Sequence, residues 1–549
     1  MKVLICCLNS KYIHASLAPW CLSAGVSEYC QTTWTAKVLE STINADIDLF
    51  AEKIAEEKPD VISFCSYIWN ITKTLELCEK LKSKIDVKIV LGGPEVAYRA
   101  KESLKEYNFV DFVLSGEGEE SFPMLLDGIS QNNISNVDGL TYRKDNEIIS
   151  NLEKEYFGTP VSPYTQEFFE NLKGRICYIE TSRGCPYRCA FCLSGRCSPL
   201  RFFDMNRVKE DILKLSLSGT QTVKFVDRTF NANSKRANEI FEFIISEYGK
   251  KIPETVCFHF EIAGDILTEE TLKILSTAPK GAIQLEIGMQ SFNEETLKAI
   301  NRKTNTKKLV ENIKKLISFG NMHIHIDLIA GLVGEDIKSF ENSFNIGYSL
   351  NAHMLQMGFL KLLYGAEMRE NAEKFPCEYS NEPPYEVTST PWLTRQEIVD
   401  LKKCEDALER LYNSGRFLFT LEYLIRDCGF MPFSLFMEFG KSVDGTNMTL
   451  SKYAEEVYNY FSDKADKELL REKILCDLLS SSHSAPIPEQ LKIQDSLYKK
   501  VKKHFIETQK GQTKIAILYK SNSVYVVNEF DEKDLHGRTM GKFYDLASF

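Results

Sequence analysis

A strand–helix alternation that repeats six times between Gly174 and Phe359 constrains this chain more than any other feature. Apolar runs at 176–181, 222–226, 257–262, 283–287, 323–329 and 354–359 read as strands. Amphipathic stretches at 208–215, 237–247, 268–275, 306–319 and 339–349 fall between them with helical spacing. Strands that are apolar almost throughout belong to a parallel sheet covered by its own crossover helices. Six consecutive units predict a partial (βα)6 barrel, and barrels of this kind do their chemistry at the carboxyl ends of the strands. Polar side chains stand near those ends here: Asp227, Arg228, Glu261, Asp265, Glu286, Gln290, Asp327 and Gln356.

At the same edge, after the first of these strands, lies Cys185-Pro186-Tyr187-Arg188-Cys189-Ala190-Phe191-Cys192. Three thiolates can hold three irons of a [4Fe–4S] cluster and leave the fourth open to an outside ligand. The alternative is a structural Cys₄ zinc site that recruits Cys197, although such sites usually pair two C-x₂₋₄-C motifs across a longer loop. The sixteen cysteines are scattered, which argues against a disulfide framework.

The flanking regions differ from the barrel and from each other. Residues 1–145 alternate strands (3–8, 61–66, 87–91, 110–114) with helical stretches such as 71–84, which predicts a doubly wound Rossmann-like sheet. Two loops at its expected binding edge are glycine-rich: Gly92-Gly93-Pro94-Glu95 and Gly116-Glu117-Gly118-Glu119. They read equally as tight turns or as places where backbone approaches a ligand. Residues 146–375 form the barrel domain. Residues 376–549 read as mostly helical (395–413, 417–426, 433–439, 450–461, 490–508) with a closing hairpin at 514–519 and 524–527, and show no chemistry. The net charge of −10 speaks against a nucleic-acid backbone as partner. With no run approaching the roughly 18 apolar residues of a membrane span and no signal-like start, the expectation is a cytoplasmic protein.

The cysteine motif resembles the signature of radical S-adenosylmethionine (SAM) enzymes. With Val226-Asp227-Arg228-Thr229-Phe230-Asn231, Glu286-Ile287-Gly288-Met289-Gln290-Ser291, Ile300-Asn301-Arg302 and Ile326-Asp327-Leu328, nearly the whole chain is similar to B12-binding-domain radical SAM proteins whose carboxyl-terminal region is DUF4080. The resemblance implies a cluster on Cys185, Cys189 and Cys192. It also implies SAM held by Phe191 at the adenine, Glu261 and Gln290 at the ribose, Arg302 at the methionine carboxylate, and Asp327 at the ribose or adenosyl edge. An electron donor such as flavodoxin or ferredoxin follows from the same resemblance. Family members that ligate cobalamin through histidine often carry Asp-x-His-x-x-Gly after the first strand. Here Asn9 to Ser16 lacks that pattern, and His14 stands alone. The sequence therefore places cobalamin second: bound without a histidine, or absent from a domain that merely covers the barrel. By family association the leading expectation is a queuine lyase of queuosine salvage, releasing 7-aminomethyl-7-deazaguanine, with Glu180, Asp227 or Glu286 accepting from a guanine-like edge. The alternatives are a cobalamin-dependent radical SAM methyltransferase and a non-catalytic Fe–S or zinc protein. No general acid or base is assigned.

Overall fold

A computed structural model describes residues 1–196, 199–481 and 484–549. The chain divides into two compact units, Met1–Leu285 with Lys298–Asn305 and Leu360–Thr388, and Glu286–Leu297 with Thr306–Phe359 and Ser389–Phe549.

The first unit begins with a seven-stranded sheet in the order β2-β1-β3-β4-β5-β6-β7, where β1 is Lys2–Asn9, β2 Thr35–Thr42, β3 Val61–Cys65, β4 Lys88–Gly92, β5 Phe112–Leu114, β6 Leu140–Lys144 and β7 Glu147–Ser150. β1 to β5 run parallel, and β6 and β7 close one edge as an antiparallel hairpin. Val3 to Leu8 are all within 1% of complete burial, as a central strand covered on both faces must be. One cover consists of helices Ile47–Glu56 and Ile71–Lys84, which bring Phe50, Ile54, Leu77 and Leu81 against the sheet. The first of these starts cleanly because the Asp46 carboxylate accepts from the backbone N–H groups of Asp48 and Leu49.

The same unit holds β8 (Cys177–Ile179), the short antiparallel pair β9 (Ser182–Arg183) and β10 (Arg201–Phe202), β11 (Thr222–Phe225) and β12 (Cys257–Ile262). β8, β11 and β12 are parallel, with Lys224 opposite both Tyr178 and His259. Their side chains alternate: Tyr178, Lys224 and Glu261 are partly open, whereas Phe225, Phe258 and Phe260 are buried behind them. Phe225, Phe230, Phe241 and Phe260 form one aromatic cluster with centroids 4.3–5.2 Å apart along its contacts. β13 (Ile283–Gln290) starts in the first unit and ends in the second, and in the second unit β14 (His323–Ala330) pairs in parallel with β15 (Met354–Phe359).

The rest of the second unit is mainly helical. Helix Arg395–Leu408 opens with a reciprocal capping box between Thr394 and Glu397 and runs on into a π-helical segment, Glu409–Asn413; a second, Tyr423–Asp427, follows. Helices Pro432–Ser442, Leu450–Phe461 and Lys467–Ser481 follow. The chain ends in three antiparallel strands, Thr513–Leu518, Ser523–Asn528 and Lys542–Asp545, and helix Ser496–Thr508 sets Val501 and Phe505 against Ile515, Ile517, Val524 and Val526. No helix among the described residues is long and apolar enough to cross a membrane.

Candidate functional site

The cysteine loop is held at its base by Asp227. This carboxylate, 1% exposed, accepts from Thr181 N at 3.0 Å, Thr181 Oγ1 at 2.6 Å and Ser182 Oγ at 2.5 Å. Those bonds end β8 before 181 and turn the chain toward Cys185. They also occupy Asp227, which therefore does not offer the open carboxylate the sequence reading considered for a guanine-like edge. Further along, Ala190 N donates to Ile300 O at 2.9 Å and Met368 N to Ala190 O at 3.0 Å. Gly195 folds back so closely that a Cβ there would sit 2.7 Å from Tyr187 O.

Within this loop Cys185 Sγ lies 3.5 Å from Thr229 Oγ1, and an Arg302 Nη1 is 3.8 Å from Cys189 Sγ. Burial pushes the Cys189 thiol up, and the charge of Arg302 pulls it back. All fifteen described cysteines are free thiols. Among the described residues, the one set of three donors within 4.8 Å of one another is Glu286, His325 and Asp327. The three cysteines are not gathered that tightly, as one metal ion would require and a multi-iron cluster would not. Cys197 lies outside the described residues.

The residues expected to hold SAM fall in both units. In the first, Arg302 stands beside the cysteines, where a cation must be to pair with a carboxylate held at an open iron. Phe191 is half-buried, and Glu261 Oε1 lies 3.8 Å from Lys224 Nζ. In the second, Gln290 ends β13 with φ at +68°, and its Oε1 is buried with no hydrogen-bond partner, an acceptor that fits a ligand hydroxyl. Asp327 Oδ1 is 2.9 Å from His325 Nε2, with Glu286 Oε2 4.0 Å from the other ring nitrogen. Glu286 and Asp327 are legible in the sequence as polar residues near strand ends; His325 is not, although strand alternation sets it on the same face as Asp327.

A cavity of about 610 Å³ opens at the carboxyl ends of β1, β3, β4 and β5 and is walled also by the ends of β8 and β11. Both glycine loops line it. Gly93, at φ +106°, is required by packing, because a Cβ would meet Ser66 O at 2.4 Å. Glu95 is buried and accepts from Tyr385 Oη at 2.7 Å. A buried charge network, unforeseen from the sequence, ties the second loop to the cysteine loop. Arg183, two residues before Cys185, donates to Glu117, to Glu119 (3.3 Å to Oε2) and to both oxygens of Glu180 at 2.9 Å, and Arg201 also holds Glu117, at 2.7 Å to Oε1. Burial raises Glu119, but the charge and hydrogen bonds of Arg183, a backbone hydrogen bond and the charge of Arg201 together outweigh it and hold that carboxyl below its usual range. Glu180 is raised by burial, with Glu119 and Asp227 adding to the rise. His14 lines the cavity with Nδ1 2.7 Å from Tyr178 Oη, and burial, Lys11 and Lys224 lower its pKa, so the ring is neutral near pH 7.

Comparison with known proteins matches residues 6–126 to the B12 binding domain, 179–346 to the radical SAM superfamily and 373–533 to DUF4080, a protein family of unknown function. The chain is thus a radical SAM protein with an amino-terminal B12-binding domain and a DUF4080 carboxyl-terminal region. It is 24% identical over 430 residues to the 2-(S-pantetheinyl)-carbapenam-3-carboxylate methyltransferase of Streptantibioticus cattleyicolor, covering 68% of this chain and 60% of that one. It is 27% identical over 326 residues to the cobalamin-dependent radical SAM methyltransferase TokK of Streptomyces tokunonensis, covering 56% and 47%. The chain therefore spans about half to three-fifths of the length of these relatives. In fold it is similar to the cobalamin-dependent SAM radical enzyme OxsB solved with aqua-cobalamin bound, with a TM-score of 0.61 at 14% identity over 92% of this chain and 84% of that one. A second likeness is to the radical SAM methyltransferase TsrM of Kitasatospora setae, at 0.58 and 14% over 72% and 80%.

Proposed function

We propose that this protein is a cobalamin-dependent radical SAM methyltransferase acting on a small molecule. The observation that carries the reading is the single cavity shared by the B12-binding sheet and the loop that leads to the cysteines. The sequence reading ranks cobalamin second and the lyase first; the B12-binding match and the methyltransferase relatives favour the reverse order. Queuine cleavage has no counterpart among those relatives, and a non-catalytic metal protein gives no role to the Arg302 guanidinium beside Cys189.

When bound, a cluster on Cys185, Cys189 and Cys192 supplies the electron that cleaves SAM, and a corrinoid supplies the methyl group. The chain's own residues bind and orient. Gly116 and Gly118 would border the corrinoid, and the Arg183 network holds that border against the cysteine loop. Arg302 would take the SAM carboxylate, Gln290 and Glu261 its ribose, Phe191 its adenine and Asp327 the ribose or adenosyl edge. An electron donor of the flavodoxin or ferredoxin type is the partner proposed.

The test uses cluster-loaded protein with hydroxocobalamin, reductant, SAM carrying a deuterated methyl group, and a small-molecule cell extract supplemented with queuine. The reading predicts a metabolite that gains the labelled methyl, together with S-adenosylhomocysteine, only when corrinoid is present. Release of 7-aminomethyl-7-deazaguanine without labelled product, and without need of corrinoid, would restore the lyase.

A further inference from the structure

The charges around the 610 Å³ cavity satisfy one another with a single exception. Glu117, Glu119 and Glu180 are all bonded to Arg183, and Glu117 to Arg201 as well. Arg228, which follows β11 and lines the same cavity, is exposed, and among the described residues its guanidinium makes no hydrogen bond, ion pair or ring contact. Its surroundings are nevertheless specific. The Arg228 carbonyl accepts from Thr229 Oγ1 at 2.8 Å, and that hydroxyl is the one 3.5 Å from Cys185 Sγ. Tyr67, which lines the cavity with Arg228, stacks on Trp69 at 4.4 Å and 6°. Trp69 is 45% exposed and also lines the cavity.

A guanidinium is charged at every working pH and presents a planar fork that matches a carboxylate or phosphate with two parallel hydrogen bonds. An open indole offers a flat apolar shelf. Both line the same cavity, and the ligand that would use the two is an oxyanion attached to a planar group, one residue from the side chain that touches the first cluster cysteine. We infer that Arg228 anchors the carboxylate or phosphate of the substrate, which is thus an organic anion with a ring or unsaturated body. The inference rests on the proposed function for its claim that the cavity receives substrate.

The experiment compares cluster-loaded wild type with Arg228→Gln and Arg228→Lys, using benzoate and its neutral isostere benzamide as probes in calorimetric titrations, and SAM, aquacobalamin and cobinamide in separate ones. Wild type is expected to bind benzoate roughly tenfold more tightly than benzamide, the ratio one charge-assisted contact supplies. Arg228→Gln should equalise the two probes and Arg228→Lys should keep part of the difference, with all three cofactor affinities unchanged. No binding of benzoate, equal binding of both probes to wild type, or a preference that survives Arg228→Gln would each overturn the inference. So would weaker binding of SAM, or of aquacobalamin but not of cobinamide, which lacks the nucleotide phosphate, because the anion would then belong to a cofactor. Failure of the wild type to bind any corrinoid defeats the proposed function and leaves the probe result standing.

Discussion

Replacing Arg183 by Met should destabilise the first unit and loosen the cysteine loop. The Arg183 side chain is 17% exposed and sits among three carboxylates, with Arg201 the other cation of the group. Methionine keeps most of the volume and removes the charge, so what is measured is the cost of leaving buried carboxylates without their partner. That cost is about 3–5 kcal/mol for a broken buried ion pair. Part is recovered where a carboxyl takes up a proton. Glu180 does this readily because burial already raises it, whereas Glu119, held low by Arg183, loses most. In the variant both folded-state pKa values stand above the unfolded ones. Its stability is then present at low pH and lost as pH rises through those values, and its deficit against wild type widens with pH. Urea unfolding followed by circular dichroism at pH 5.5 and 8 should show a loss of about 3 kcal/mol at pH 8, less at pH 5.5, and a partial return in the double variant with Glu119→Gln. A loss under about 1 kcal/mol at pH 8, the range of a surface pair, or one that shrinks with pH, would refute the reasoning.

Cys185→Ala, Cys189→Ala and Cys192→Ala should each lose cluster iron and sulfide, and full iron retention in any of them would count against the assignment. Arg302→Ala should keep its iron but bind SAM about 1.5–3 kcal/mol more weakly, as equilibrium titration would show. In the second unit, burial raises Glu335 and Asp477 to about 7. Folded values above unfolded ones stabilise fully below about pH 4 and lose that contribution as pH rises to about 7. Melting temperature should therefore fall over this window and flatten in Glu335→Gln and Asp477→Asn; a rise would contradict the assignment. His14→Ala should leave the visible spectrum of bound corrinoid unchanged, since Asp-x-His-x-x-Gly is missing and His14 Nδ1 is bonded to Tyr178; a shift on losing His14 would make it a cobalt ligand.

The sequence shows most clearly what burial writes into it. The barrel strands are legible because one face of each is buried and apolar, with polar side chains mostly confined to the alternate positions as in β13, and β12 at Cys257–Ile262 and β15 at Met354–Phe359 have the bounds read from the sequence. β2 escapes because it is an edge strand carrying Lys37, Glu40 and Ser41, and the β6–β7 hairpin because half of it is solvated. Helix Lys467–Ser481 escapes for the opposite reason: Leu470, Glu472, Ile474 and Leu475 to Ser480 are buried almost all round, so no one-sided stripe marks it. Helix Ser496–Thr508 starts six residues after the expected 490, where Asp495 caps it. In the site, the thiols are legible through their spacing. The Arg183 network is not, because it joins residues up to 84 positions apart that no local pattern links. Asp227 was visible as a polar residue at a strand end, yet only the fold shows its oxygens spent on the Thr181–Ser182 turn.

Cobalt bound per chain is the most direct measure of the central claim. Protein from cells supplied with hydroxocobalamin, purified without oxygen, should carry about one corrinoid beside about four cluster irons, with the corrinoid visible in its absorption spectrum and released on denaturation. Iron at that level with no cobalt, under the same supply and after reconstitution with excess hydroxocobalamin, would contradict the account.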